Sequence, residues 1–295
     1  MNRRERVLRA INRQEPDRVP WGEISIPRGL IRRAAGSWSG FGEEPPVKKR
    51  FLELLGMDLL VLDADSPSPA REEIRYWGRE TDFFVFLLLT GGFTRVMRRM
   101  GWKEFFLAVA AEPKKIKAAI AGENRNLLAE AEPLLTEAVD GVIIGDDISA
   151  RRALVDPGFL RESVFPSLQE LVQGIRSLRE RPVFFHSDGD LTGMLDEVVE
   201  AGFQGLQGME PSAGMDLAAI KREYGGRLCL MGSLGLEPLL GEEGSGLEAE
   251  VARIMDAGAP GGGFIFSTTG GLVEEIDVER LERLSRLVAK YGKYK

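Results

Sequence analysis

The chain has few residues of several types, and each shortage excludes some kinds of site or partner. Its 295 residues include one cysteine and one histidine. A single cysteine, Cys229, excludes an intramolecular disulfide and any zinc site built from several cysteines. Its apolar neighbours, Leu228 and Leu230, predict a buried thiol. The formal net charge of −7 argues against nucleic acid as the main partner, because that partner requires a basic surface.

Long hydrophobic segments are also missing. The longest apolar run, residues 83–89, has the length of a strand and falls short of the roughly 18 apolar residues that a membrane span needs. The segment Met1 to Arg6 is charged and lacks the apolar core of a secretion signal. We therefore expect a cytoplasmic protein with no membrane partner. Its length is sufficient for one domain with a sizeable hydrophobic core.

The chain does contain a repeated pattern of short apolar runs separated by helical segments. The runs are apolar throughout, which is typical of parallel strands covered on both faces. Eight such runs predict strands: residues 19–22, 59–62, 83–89, 142–144, 183–185, 205–209, 228–232 and 263–266. Helical spacing separates them, notably over residues 113–138 and 157–179, and an amphipathic helix is predicted before them over 3–13. Residues 36–46, rich in Gly, Ser and Pro, predict a loop.

This alternation predicts an α/β protein. Eight strand-helix units indicate a TIM (β/α)8 barrel with an N-terminal helical extension, forming one domain over residues 1–295. A doubly wound open sheet is the alternative.

Polar residues follow nearly every predicted strand. In a TIM barrel the carboxyl ends of the strands meet at one face, and that face carries the active site. The residues that would gather there are mainly acids and hydroxyls with one imidazole: Glu23, Asp63, Asp65, Asp146, Asp147, His186, Asp188, Glu210, Ser233, Ser267, Thr268 and Thr269. Some residues in such positions serve only as helix caps.

Two chemistries suit this cluster. His186, Asp188 and Glu210 offer one nitrogen and several carboxylate oxygens, a set compatible with zinc. Alternatively, a carboxylate stabilises a cation that develops on the substrate during metal-free acid–base catalysis. The spacing of the residues does not distinguish the two.

Several motifs, in order along the chain, resemble the uroporphyrinogen decarboxylase (URO-D) superfamily. The matching segments are residues 4–8, 15–20, 146–148, 156–160, 186–189, 200–203, 210–216 and 261–265. Among them, His186-Ser187-Asp188-Gly189 and the Glu210-Pro211 segment match most strongly. The resemblance extends over nearly the whole chain and implies a TIM barrel, in agreement with the strand pattern.

One activity that the resemblance implies is uroporphyrinogen decarboxylation. True decarboxylases carry an arginine-containing motif after the first strand, and its arginines receive the carboxylates of the tetrapyrrole. The corresponding stretch here contains Glu23 and, as its only arginine, Arg28. A polyanionic substrate would be repelled by Glu23, Asp146 and Asp147. Asp65, however, matches the position of the catalytic aspartate, where it would stabilise a protonated pyrrole while Arg28 holds an acetate group.

The other implied activity is methyl transfer with a corrinoid protein or a thiol acceptor. In that branch a His-x-Cys pair, a glutamate in Glu-Pro and a late cysteine hold zinc. His186 and Glu210 match two of these ligands. Asp188 replaces the first cysteine, and Ser267 or Thr268 stands near the second. The implied zinc site is therefore rich in oxygen, which suits polarisation of an ether or alcohol oxygen better than activation of a thiol.

The leading hypothesis is thus a methyltransferase that exchanges a methyl group between a small molecule, such as a methoxylated compound, and a separate corrinoid protein, by metal-assisted or acid-assisted transfer. Glu210 and His186 would bind zinc, with Asp188 as third ligand or orienting partner. Asp146 and Asp147 would line the pocket and position the substrate, together with Glu23 and Ser267. Uroporphyrinogen decarboxylation is the second hypothesis, and a corrinoid- or tetrapyrrole-binding protein without catalysis is the third. The resemblance also implies a homodimer.

Overall fold

Within the part of the chain that the structure describes, seven parallel strands form one sheet. The structure is a computed structural model and describes residues 1–34, 45–65, 71–241 and 246–294. The strands pair in chain order, each with the next: β1 (Leu59–Asp63), β2 (Phe84–Thr90), β3 (Gly141–Gly145), β4 (Val183–His186), β5 (Gly205–Gly208), β6 (Cys229–Leu234) and β7 (Phe264–Thr268). Seven of the eight predicted strands are therefore confirmed. Of the predicted loop, residues 36–44 lie outside the described residues.

Helices connect the strands, as the alternating pattern predicts. They are α1 (Arg3–Ile11), α2 (Arg28–Ala34), α3 (Pro46–Leu55), α4 (Arg71–Glu80), α5 (Gly92–Met100), α6 (Trp102–Ala111), α7 (Pro113–Ala131), α8 (Pro157–Phe159), α9 (Phe165–Leu178), α10 (Leu195–Glu200), α11 (Leu217–Tyr224), α12 (Glu237–Leu240), α13 (Leu247–Gly258) and α14 (Val278–Tyr291). A π-helical turn, Leu160–Val164, joins α8 to α9. Several helices begin at a side-chain oxygen that accepts an amide hydrogen, as Asp277 does for α14. Among the described helices, none is long and apolar enough to cross a bilayer.

The eighth predicted strand, residues 19–22, is reduced to a single bridge. Trp21 pairs with Phe266 of β7 in parallel. Phe266 donates its N–H to Pro20 O at 2.8 Å, and Asp58, directly before β1, donates to Trp21 O at 2.7 Å. Pro20 has no N–H, and the N–H of Trp21 goes to the Asp58 carboxylate at 3.0 Å, so a regular ladder cannot form here. The segment nevertheless lies between β7 and β1, consistent with a TIM-like barrel.

The two faces of the curled sheet form separate cores. On the inner face, alternate strand residues cluster with Val7, Ala10 and Ile11 of α1. These inner strand residues are Leu59, Val61, Phe84, Phe86, Ile143, Phe184, Cys229, Met231 and Ile265. The outer face packs against the surrounding helices in a larger cluster. Because Arg4 of α1 donates its N–H to Asp82 O just before β2, α1 covers the amino ends of the strands. The carboxyl ends remain for the polar side chains.

Candidate functional site

The imidazole of His186 occupies the inner face at the end of β4, in the same alternation as Phe184. Its register partners are Gly145 of β3 and Gln207 of β5. A Cβ atom added to Gly145 would lie 3.5 Å from His186 Cδ2, and one added to Gly208 would lie 3.8 Å from His186 Nδ1. The Cδ2 edge of the ring therefore faces β3 and the Nδ1 edge faces the end of β5. Glycines on both sides leave room for the ring.

Two carboxylates accompany this imidazole. Asp147, His186 and Asp188 each offer a ligand atom, and these atoms all lie within 4.8 Å of one another. His186 Nε2 and Asp188 Oδ1 are 3.9 Å apart, and the Asp188 side chain is 64% exposed. The N–H of Asp188 donates to Asp147 Oδ1 at 3.3 Å. We refer to these three residues as the metal cluster, because their donor atoms are close enough together to hold a metal ion.

Burial and neighbouring charges both shift the pKa of Asp188. Partial burial raises its pKa above the ordinary value, and His186 acts in the opposite direction. The carboxylates of Asp147 and Glu210 raise the pKa further. Three acids thus crowd one small region, and a bound cation would relieve their mutual repulsion.

The acids that follow β3 differ in role. Asp146 is fully buried and caps α5, since its carboxylate accepts the N–H of Phe93 at 3.2 Å and that of Thr94 at 2.7 Å. Burial raises the pKa of Asp146 to about 6 in spite of these bonds. Asp147 instead accepts the N–H of Asp188 and donates its own N–H to Thr94 Oγ1 at 2.8 Å. Of the two aspartates suggested for substrate binding, Asp146 therefore has a structural role as the cap of α5.

Glu210, expected to bind the metal together with His186, is not one of the three residues of the metal cluster. Its Oε2 accepts the N–H of Gly189 at 3.0 Å, and its Oε1 accepts a hydrogen bond from Ser212 Oγ at 2.9 Å. These bonds hold the loop that contains Asp188. The group around His186 instead contains Asp147, which was expected to position the substrate. The spacing in β3 could have indicated this, because Asp147 follows the inner-face residue Ile143 at an even interval, just past the end of the strand.

A second polar group joins residues 20–22 to β7. Glu23 is buried and accepts hydrogen bonds from Trp21 Nε1 at 2.9 Å and from the N–H of Thr268 at 3.0 Å. The hydroxyls of Thr268 and Ser267 contact the same carboxylate. Burial raises the pKa of Glu23 to about 7, although the hydrogen bonds from Thr268 and Trp21 oppose this. Glu23 and Ser267 were expected to bind substrate. In the structure they are buried, and the Ser267 hydroxyl donates a hydrogen bond to the Glu23 carboxylate.

The residues that the decarboxylase hypothesis requires are not members of the metal cluster. Asp65 accepts a hydrogen bond from Arg95 Nη2 at 3.1 Å, and Arg95 also pairs with Glu130 at 2.7 Å. Arg28 is exposed at the start of α2. The structure thus ties Asp65 to α5 and does not group it with His186.

Sequence reasoning missed Gln207 on β5. It is fully buried, and its Nε2 donates to the carbonyls of Thr268 at 3.2 Å and Thr269 at 3.0 Å. Its Oε1, the Nδ1 of His186 and the Oγ of Ser233 have no hydrogen-bond partner among the described residues. One amide side chain inside an otherwise apolar strand was the available signal.

A curled parallel sheet with polar side chains at the carboxyl ends of its strands defines a TIM-like α/β protein. Within that class, residues 70–291, more than half of the chain, match the uroporphyrinogen decarboxylase (URO-D) family model. The chain belongs to this family, which confirms the resemblance of its motifs. No curated protein matches the sequence significantly.

Solved structures share the fold at low sequence identity. A methyltransferase from Methanosarcina mazei has a TM-score of 0.77 at 16% identity, and the match covers 99% of each chain. A D-psicose 3-epimerase studied in the presence of D-fructose has a TM-score of 0.50 at 12% identity, covering 91% of this chain and 93% of its own. At these identities the likeness establishes the fold alone.

Proposed function

We propose that this URO-D family protein is a methyltransferase that uses zinc and moves a methyl group between a small molecule and a corrinoid held by a separate protein. The observation that carries the proposal is the metal cluster, Asp147, His186 and Asp188, at the carboxyl ends of β3 and β4. The shared fold with the methyltransferase from Methanosarcina mazei supports the reaction class. In this proposal the barrel is a closed (β/α)8 barrel, with residues 20–22 in the eighth strand position and α1 as the extension.

The metal cluster fits zinc in its donor atoms. Zinc binds imidazole nitrogen and carboxylate oxygen at about 2.0–2.2 Å, so ligand atoms around a tetrahedral ion lie about 3.4 Å apart. The 3.9 Å between His186 Nε2 and Asp188 Oδ1 is close to that spacing. Asp188 is mostly exposed, so its side chain is free to make the remaining adjustment. Three protein ligands also leave one position open, as catalytic zinc sites require.

Each residue of the metal cluster has a different role in binding the cation. Asp147 and Asp188 supply two negative charges that balance a divalent cation, and His186 supplies a neutral nitrogen. Glu210 holds the Gly189 N–H and so positions Asp188. Zinc bound there supplies Lewis acidity toward an ether or alcohol oxygen. The oxygen-rich ligand set favours a methoxylated compound as methyl donor over a thiol.

Metal binding and methyl transfer test the proposal directly. The chelator-treated protein is titrated with zinc, and we expect a single equivalent to bind. His186→Ala should abolish this binding, while Arg28→Ala, a change outside the metal cluster, should leave it intact. Zinc-replete protein that holds no metal would remove the proposed mechanism.

The reaction is then followed with a methoxylated aromatic compound and reduced cobalamin, through the absorbance change on methylation of the cobalt. Uroporphyrinogen offered to the same preparation should keep all its carboxylates by mass spectrometry. Loss of carbon dioxide from it would favour the decarboxylase instead.

A further inference from the structure

We infer that Thr94 is the positioning residue of Asp147: its buried hydroxyl accepts the backbone N–H of Asp147 and thereby keeps the Asp147 carboxylate within the metal cluster. The inference rests on the proposed metal function. It adds a residue from α5, an element that supplies no member of the metal cluster.

The bond between Thr94 and Asp147 joins two neighbouring parts of the sheet. Thr94 lies in the first turn of α5, which follows β2, and Asp147 lies two residues past the end of β3. The N–H of Asp147 donates to Thr94 Oγ1 at 2.8 Å, a distance typical of a well-formed hydrogen bond. Thr94 is only 2% exposed, so water does not compete for its hydroxyl. The start of α5 is itself fixed against β3, because Gly91 donates its N–H to Gly145 O at 2.8 Å.

The two residues that flank Asp147 form their hydrogen bonds in the other direction. Asp146 donates its N–H to His186 O at 2.9 Å, and Ile148 donates its N–H to Ser187 Oγ at 3.1 Å. Both acceptors belong to the end of β4 or to the residue after it. Of these three consecutive N–H groups, the middle one therefore binds the β2 side and the outer two bind the β4 side. The backbone at this point is held between two strands, and the threonine hydroxyl provides the contact to the first of them.

The position of Asp147 matters because its carboxylate has two tasks. It accepts the N–H of Asp188 at 3.3 Å, and it offers a ligand atom within 4.8 Å of those of His186 and Asp188. Metal–ligand distances vary by only about 0.2 Å around their preferred values. A small rotation of the Asp147 backbone would therefore move its carboxylate out of reach of a shared ion.

Two substitutions separate the hydrogen bond of Thr94 from its packing. Valine has nearly the same shape as threonine but offers no acceptor, so Thr94→Val leaves the buried N–H of Asp147 without a partner. Serine keeps the hydroxyl and loses only a methyl group, so Thr94→Ser retains the acceptor. The positioning role predicts that the valine variant is impaired and that the serine variant is not.

The first measurement is amide hydrogen exchange of the full chain, followed by NMR without added metal. The Asp147 amide should exchange slowly in the wild type and about fivefold to tenfold faster in Thr94→Val, which corresponds to the loss of one hydrogen bond. Thr94→Ser should restore the wild-type rate. The amides of Asp146 and Ile148 are internal controls, and their rates should not change. Faster exchange of all three amides would indicate general destabilisation and overturn the positioning role.

The second measurement is zinc affinity, determined by competition with a chromophoric chelator. Thr94→Val should bind zinc at least about 10-fold more weakly than the wild type, the lower end of the usual effect of losing a group behind a metal ligand. Thr94→Ser should match the wild type. Ser167→Ala is the matched control, because the buried Ser167 Oγ accepts a hydrogen bond from Asn124 Nδ2 at 2.8 Å outside the metal cluster. This variant should retain the wild-type zinc affinity.

The outcomes distinguish this inference from the proposed function. If the wild type binds zinc and Thr94→Val binds it equally well, the positioning role is wrong while the metal site stands. If the wild type binds no zinc, the proposed function fails, and selective acceleration at the Asp147 amide still supports the positioning role, whereas an unchanged rate overturns it. Should Thr94→Val not fold, Thr94→Ala, which also lacks the hydroxyl, replaces it in both measurements. An Asp147 amide that exchanges freely in the wild type would overturn the inference without any variant.

Discussion

Asp188 donates its backbone N–H to the carboxylate of Asp147 at 3.3 Å, so the loop after β4 is tied to the loop after β3. Both acids lie close to the His186 ring. Glu210 secures the same loop from β5 through the N–H of Gly189. Hydrogen bonds from backbone N–H groups to carboxylates therefore connect the loops after three consecutive strands. This reduces the conformational entropy that the site loses when a ligand binds.

The adjacent aspartates after β3 should respond to substitution in opposite ways. Asp146→Ala removes a buried carboxylate that accepts two amides of α5, and we expect it to lower the free energy of unfolding by about 2 kcal/mol with zinc affinity retained. Asp147→Asn should weaken zinc binding at least tenfold, with little change in stability. Urea denaturation and zinc titration measure the two effects. Equal zinc affinities for the two variants would contradict the assignment.

Glu23 should make the protein less stable as the pH rises. Its folded-state pKa of about 7 lies above the ordinary value of 4.5, so the folded protein keeps a proton that the unfolded chain releases. Stability associated with this group is full below about pH 4.5 and is lost as the pH rises toward 7, by up to about 3 kcal/mol. In Glu23→Gln this contribution is absent. Between pH 4 and pH 8, the unfolding free energy of the wild type should therefore fall relative to that of Glu23→Gln. A difference that stays constant with pH would show that Glu23 does not have the raised pKa.

The buried carboxylate of Asp58 should be important for stability. It accepts hydrogen bonds from Arg6 at 2.7 Å and from Arg18 at 2.8 Å, and it also receives the Trp21 N–H. Asp58→Ala removes the carboxylate partner of Arg18 and leaves Arg6 paired with Asp17 alone, so we expect a loss of about 3–5 kcal/mol in chemical denaturation.

A matched control for Asp58 is the more exposed pair of Arg3 and Asp82. Asp82→Ala should lower the unfolding free energy by about 1 kcal/mol or less, because solvent screens the charges. Comparable losses for both variants would show that burial does not decide the strength of these pairs.

Cys229 should be chemically inert in the folded protein. Its thiol is buried on the inner face of β6, and burial raises its pKa to about 12. A thiol-specific reagent should therefore react only after denaturant exposes the side chain. Labelling at the native state, at a rate above that of global unfolding, would contradict this placement.

The amino-acid sequence by itself determined the strands, the helices between them and the family. Strands such as residues 183–185 can be recognised from the sequence, because a strand buried on both faces must be apolar throughout. The predicted strand at 19–22 forms only a single bridge. Pro20 has no N–H, and the N–H of Trp21 binds the Asp58 carboxylate, so neither is a donor for a regular ladder. Motifs around His186 and Glu210 identified the URO-D family, which residues 70–291 confirm.

The tertiary structure alone decided which polar residues meet. Asp146 and Asp147 are equivalent in the sequence, yet one caps α5 and the other lies beside His186. Glu23 was predicted to line the pocket, but it bonds to Thr268, more than two hundred residues further along the chain. Such outcomes depend on strand register, on the inward or outward direction of each side chain, and on loops from distant segments. These are properties of packing between elements, and no local sequence pattern encodes them.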